Sequence, residues 1–466
     1  MKSRILSFLC CLVVLVSTCG CTKVTQLVKD SQPTKAELLD EINTEHQRWS
    51  AAPAADPTPY LRHYDDPADA QKYFDYITDT YSEYDAEKEL TVEEAEEDVN
   101  YLFDAFYYDF AFYDYFGGHT VFDQTKAEIL QELQAKDNLT CKDLQEVLVK
   151  HLTFIKDGHF NINHNFPAEK EIPFFFRQVM FVKTDSGYQD SNGKTVVSVD
   201  GHPDLDTLFK RSISKEGYLV YYPVLLKEAK FDGTEWDKHV CDEQLTVHYA
   251  DGSTDVLTAD TWSQYYKDLP KDQNTDLRQT DGIPVFQFNS FDGSFLQEVN
   301  AAAAQMSDAA ISMLDLRSNV GGYEEVAHQW ITRYSRQRVQ GNGVRYDVVN
   351  PVSVAIQAHR WQTHDNILIL LSGKCSASSA EITMDLAYNL ENSLIIGENT
   401  NGCMIGNGGH VELPNSKCSV IMTSVCVYLL PEGADYFEEM RGLSPDIWVP
   451  AKEAETLAAK LMENLK

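Results

Sequence analysis

Basic residues are scarce in this chain. Its 466 residues hold 39 lysines and arginines against 72 aspartates and glutamates, a formal charge of −33. A surface that acidic repels phosphate backbones and anionic headgroups, which argues against nucleic acid as a partner. Cysteine is thin as well: of 10 residues, Cys10, Cys11, Cys19 and Cys21 fall at the very start. The other six, Cys141, Cys241, Cys375, Cys403, Cys418 and Cys426, show no zinc-site spacing and are too few to be a disulfide scaffold. Neither a metal nor an organic cofactor is implied. The apolar run at residues 5–16 is too short for a comfortable membrane span.

What is present begins with that run. Lys2 and Arg4 precede it and small residues follow, the tripartite order of an export signal. Its end, "STCGC", resembles a bacterial lipoprotein box with Gly20 before the acceptor Cys21; Cys19 is the alternative acceptor, and a plain secretory signal the alternative reading. The expectation is a signal peptide over 1–21 and a folded part outside the cytosol, anchored to the bacterial cell membrane through a lipid on Cys21, or secreted.

Residues 22–60, with "AAPAADPTP", read as a tether. Over 61–165 the pattern is helical. Thr91 stands three residues before Glu94, a capping-box spacing, and apolar residues recur at helical intervals in "VEEAEEDVNYLFDAFYYDF", a stripe that a bundle would bury. Residues 166–265 turn to strands with Asp-Gly turns at Asp200-Gly201 and Asp251-Gly252. The passage "VVSVDGHPDLDTLF" is similar to the strand-turn-helix of PDZ modules; an unrelated β-rich insert is the alternative. From 270 to 466 short apolar strands alternate with helices, which predicts an α/β core with chemistry at the loops.

Four stretches sit at such loops or at the seam between regions: "LTFIKDGHF" (152–160), "LDLRSNVGG" (314–322), "LSGKCSASSAEI" (371–382) and "FEEMRGLSPDIWVP" (437–450). A serine hydroxyl at a strand-to-helix turn lies beside unpaired helix N–H groups, a useful place for an acyl-transfer nucleophile and equally the place of an ordinary N-cap.

In this order the four resemble the C-terminal processing peptidase and tricorn core-protease family of serine peptidases, whose motifs read roughly "DGH", "DLRxNxGG", "SASASE" and "EGxGxxPD". The resemblance implies a ClpP/crotonase-like α/β protease core behind the helical and β-rich regions, and a peptide or protein substrate. Aligned on Glu381, the nucleophile falls on Ser378. One branch uses a lysine base in "GxxTxGKG", but "GENTNGCMIG" carries Cys403 at that place, so the resemblance points to the histidine branch, with His159 as the base. His119 and His164 lack the motif. The oxyanion donors it implies are the N–H of Ser379 and one from Gly321 or Gly322. Asp315 and Arg317 read as structural partners in that loop. The orienting carboxylate falls on Glu439, with Glu438 adjacent and Met440 in place of a glycine. A Cys375–Cys403 pair and a cysteine nucleophile beside His159 both stay open, as does a catalytically inactive binding lipoprotein on the same scaffold.

Overall fold

The computed structural model describes residues 24–465 apart from 54, 73, 231–242, 261–272, 350–359 and 425; the signal segment and Cys21 lie outside the described residues. Strands Ile283–Phe288, Ile311–Asp315, Ile367–Ser372 and Ser393–Gly397 lie side by side and parallel, with Thr275–Thr280 antiparallel at the edge. The run "ILILLS" lacks polar alternation because both of its faces are covered. Leu368 and Leu370 pack among helices Leu296–Met306, Glu324–Ser335 and Ser379–Ala387, while Ile369 and Leu371 pack with helix Ala451–Asn464 on the opposite face. Asp315 pairs with Leu371 and Ser372 with Gly397, so these strands end level. The loops that follow them, at 316–323, 373–378 and 398–406, leave the sheet along one edge.

The segment expected to be a tether is corrected by helix Lys35–Ser50. Thr34 and Glu37 form a capping box, Leu38 and Ile42 are fully buried in the same core as Ala451–Asn464, and His46 Nε2 lies 2.8 Å from Asp446 Oδ1. Polar composition hid the stripe: two apolar positions and a half-polar face suffice when a sheet supplies the rest.

Helices Val92–Asp109, Gly118–Gln134 and Cys141–His151 form the helical region, the first and third opened by the capping boxes Thr91/Glu94 and Thr140/Asp143. They do not bury their stripes on one another alone. Strands Gly408–Glu412 and Ser419–Thr423, far along the chain, supply Val411, Val420 and Met422 to the same core. The short strand Asn161–Ile162 pairs with Ser419–Thr423, Asn161 opposite Ile421, and so ties the end of the helical region to the C-terminal half of the chain two residues after His159.

The β-rich region is not a free-standing sheet. Phe209–Ile213 joins Ile447–Trp448 of the core through Ser212 and Trp448, and Leu219–Ala229 continues outward from it. Among the described residues only Val196–Val199, Gln244–Tyr249 and Thr254–Thr258 form a small sheet of their own, and the helix of the PDZ-similar passage is four residues long, Leu205–Leu208. Edge pairing with the core, invisible to local periodicity, decides this.

Candidate active site

Ser378 stands between strand Ile367–Ser372 and helix Ser379–Ala387 with φ 53° and ψ −117°. A non-glycine residue there costs on the order of 1–3 kcal/mol, and such strain persists only where the surroundings impose it. They do: the Ser378 N–H donates to Glu381 Oε2 at 3.0 Å and to Cys403 Sγ at 3.2 Å. Glu381, fully buried, also accepts from Gly402 N at 2.7 Å, Cys403 N at 3.0 Å and Thr400 Oγ1 at 2.5 Å. One carboxylate thus ties the serine turn to loop 400–403. The N-cap reading was correct as to position, and the sharp turn leaves the hydroxyl facing outward.

It faces a histidine. His159 Nε2 lies 3.1 Å from Ser378 Oγ, across 219 positions of chain. Gly158 makes this approach possible, since a Cβ there would sit 2.0 Å from Gly402 O and 2.5 Å from Cys403 Cβ. Asp157, fully buried, accepts from His159 N, Thr423 N and Thr423 Oγ1 at 3.0, 2.9 and 3.0 Å, fixing the loop to the strand beneath it. Behind the loop, the buried Lys170 ammonium donates to Gly158 O at 2.8 Å and to Asn401 Oδ1. Burial first, then the Lys170 charge, push His159 down to about 3, so the ring is neutral and its Nε2 lone pair is available.

The orienting group is a correction. Glu439 makes no hydrogen bond to the ring; its Oε1 accepts from Gly158 N at 2.8 Å and its Oε2 from Ile405 N at 3.2 Å. Burial, with the charges of Asp157 and Glu381, pushes its carboxyl up to about 8. Glu438 points elsewhere, into an ion pair with Arg441. The carboxylate facing the remaining ring nitrogen is Asp157, its Oδ1 3.9 Å from His159 Nδ1, and that nitrogen has no hydrogen-bond partner among the described residues. Met440 holds φ 71°, which explains why the resembled motif has glycine at this place.

The glycine turn lies against the nucleophile: a Cβ on Gly321 would sit 2.8 Å from Ser378 Cβ and 3.3 Å from Ser379 N. The Gly321 N–H is already spent on Asn319 Oδ1 at 2.8 Å. Among the described residues the N–H groups of Gly322 and Ser379 carry no hydrogen bond, so of the two glycines it is Gly322 that keeps a free donor. Asp315 and Arg317 form a buried bidentate pair at 2.6 and 2.7 Å, extended by Glu455, as a loop anchor. His119 bonds Tyr113, and neither it nor His164 reaches Ser378.

Cys375 and Cys403 are both free thiols, which removes the disulfide expectation. Burial pushes Cys375 up to about 12 and Cys403 well above the ordinary thiol range, so neither is a thiolate nucleophile. Among the described residues no group of three or more His, Cys, Asp or Glu is placed to hold a metal ion, and no helix is long and apolar enough to cross a membrane. Asp157, Glu381 and Lys170 were not assigned roles from sequence. The first two stood inside the quoted motifs; Lys170, in a strand, gave no signal.

A strained serine at the head of a helix, an imidazole against its hydroxyl and free backbone donors beside it define a serine-type hydrolase site. Residues 282–449 match Peptidase family S41. That segment of the chain is similar to the family, and the match supports a serine-type peptidase. No curated protein matches the sequence. Among solved structures, mature CPAF aligns over 80% of this chain and 96% of its own at 13% identity, TM-score 0.42. The photosystem II D1 C-terminal processing protease aligns over 80% and 97% at 14% identity, TM-score 0.37. A lipoprotein from Streptococcus agalactiae aligns over 83% and 100% at 11% identity, TM-score 0.39.

Proposed function

We propose that this chain is an endopeptidase that cleaves peptide bonds through an acyl-enzyme on Ser378, held outside the cytosol by a lipid on Cys21. Ser378 Oγ attacks the scissile carbonyl while His159 Nε2 takes its proton, and the same nitrogen returns that proton to the leaving amine. Water then enters by the reverse proton path and releases the acyl group. The N–H groups of Ser379 and Gly322 receive the oxyanion. Asp157 is the carboxylate that answers the imidazolium; a closure of about 1 Å would bring it into hydrogen-bond range of Nδ1, and resting sites are often loose by that much.

The observation that carries this reading is the 3.1 Å approach of His159 Nε2 to Ser378 Oγ. A fluorophosphonate probe is expected to label Ser378, with the adduct lost in Ser378→Ala and slowed at least about 1,000-fold in His159→Ala. Unchanged labelling of Ser378→Ala would refute the assignment. The orphaned Nδ1 favours the second reading, a peptide-binding lipoprotein without turnover, which predicts tight peptide binding but no probe adduct in the parent. For the anchor, Cys21→Ser is expected to move the protein from the membrane fraction to the soluble one, and retention in the membrane would count against lipidation there.

A further inference from the structure

A cavity of about 520 Å³ lies where the three regions of the chain meet. That volume is within the range of sites that enclose a small ligand or a side chain. The helical region contributes Phe116 and Tyr115, on which Tyr60 from the preceding segment stacks at 4.8 Å between ring centres; the core contributes Phe437. The β-rich region contributes three carboxylates, Glu169, Glu171 and Glu228. Glu439 and Glu438 complete the acidic lining, against which, among the described residues, stand Lys156 and Arg441.

The charges do not cancel. Arg441 is taken by Glu171 and Glu438, both at 2.5 Å. Among the described residues Glu169 and Glu228 have no ion-pair partner. An aromatic wall with unanswered carboxylates is complementary to a side chain that has an apolar stem and a cationic tip: the stem lies on the rings, the charge gains cation–π attraction and charge-assisted hydrogen bonds.

The cavity also touches the catalytic loop. Lys156 on its lining is three residues before His159, and Glu439 accepts the hydrogen bond of Gly158 N–H at 2.8 Å. A side chain seated there would lie against the loop that carries His159.

We infer that this cavity is a substrate subsite for a lysine or arginine side chain near the scissile bond. The inference rests on the peptidase reading and deepens it. Its test uses quenched peptides that differ at one position at a time. Lysine or arginine at one position is expected to raise kcat/KM about 10-fold or more over glutamate there, a difference worth about 1.4 kcal/mol. In the double variant Glu169→Gln/Glu228→Gln that preference should fall to within about 3-fold, with turnover of a peptide carrying leucine at that position unchanged. Absence of any position that favours a basic over an acidic residue overturns the inference, as does a preference that survives in the double variant. A second measurement separates the two claims: calorimetric binding of the lysine and glutamate peptides to Ser378→Ala. If the parent is neither labelled nor active but the lysine peptide still binds about 10-fold tighter, and loses that margin with the two carboxylates, the cavity stands and the peptidase reading falls. If the parent is labelled and active without a basic preference, the reverse holds.

Discussion

At the scale of single residues the site is governed by charges that cannot reach water. His159 carries only 11% exposure of its side chain, and the Lys170 ammonium behind its loop opposes any second positive charge. Protonation of the ring should therefore not limit the reaction near the ordinary histidine range. The acid limb of probe labelling is expected well below pH 6.5, and Lys170→Met, which removes a cation, should move that limb to higher pH. A limb that stays in place in the variant would show that Lys170 has no electrostatic hold on the base. Glu381 is the other residue of consequence. Glu381→Ala leaves the Gly402 and Cys403 N–H groups and the Thr400 hydroxyl unanswered and the Ser378 N–H with only Cys403 Sγ, so chemical denaturation should show a loss of about 3 kcal/mol or more together with loss of labelling. Ser378 and His159 were legible because each stands in a short motif whose spacing is fixed by a turn. Glu439 was placed in the site by the same logic and assigned the wrong contact, because a motif gives position and not the direction of a carboxylate. Asp157 illustrates the converse: it was quoted within "DGH", yet nothing local shows that its side chain is pinned by Thr423, 266 positions away.

At the scale of elements, what the sequence disclosed was whatever is settled within a few residues. The capping box at Thr91 was of this kind, a hydroxyl answering an N–H three residues on, and the structure adds a second at Thr140. Thr140→Ala is expected to cost about 1 kcal/mol, read as a lower unfolding midpoint with probe labelling intact in the native state. Helix Lys35–Ser50 was of the other kind, since its stripe has meaning only against the sheet that receives it. Leu38 is fully buried there, so Leu38→Ala should destabilise by about 2–5 kcal/mol. A tether would give no change at all, and a variant with the parent's unfolding midpoint would restore that reading. The hairpin of strands Gly408–Glu412 and Ser419–Thr423 was hidden for the same reason. It completes the helical region's core from the far end of the chain and, through Asn161 opposite Ile421, sets where His159 stands.

At the scale of the whole molecule the order of the motifs was readable, but their convergence on one edge of a sheet was not, because level strand ends such as Asp315 with Leu371 follow from pairing register. The same burial that builds the site sets how stability responds to pH. Burial pushes three carboxyls up, Asp109 to about 6, Glu398 to about 7 and Glu439 to about 8. In the unfolded chain such groups titrate near pH 4. The folded state thus holds these protons more tightly, and their contribution is fully present below about pH 4 and lost as pH rises through 6, 7 and 8. The opposite sign belongs to Asp143, which its bond to Lys136 holds down at about 2, and to Asp315, lowered by Arg317 against its own burial. Their contribution is present above pH 4 and lost on further acidification. With a formal charge of −33 adding self-repulsion at high pH, both terms place the stability maximum on the weakly acidic side of neutrality. Thermal unfolding is therefore expected at a higher midpoint at pH 5 than at pH 8. Glu398→Gln keeps an acceptor for the Ala451 N–H but has no proton to lose, so its profile should be flatter between pH 6 and 8 and should lie above the parent at pH 8. A variant whose midpoint falls in parallel with the parent across that interval would mean that Glu398 is ionised in the folded protein already, and that its burial is relieved by a partner the 2.9 Å bond to Ala451 does not represent.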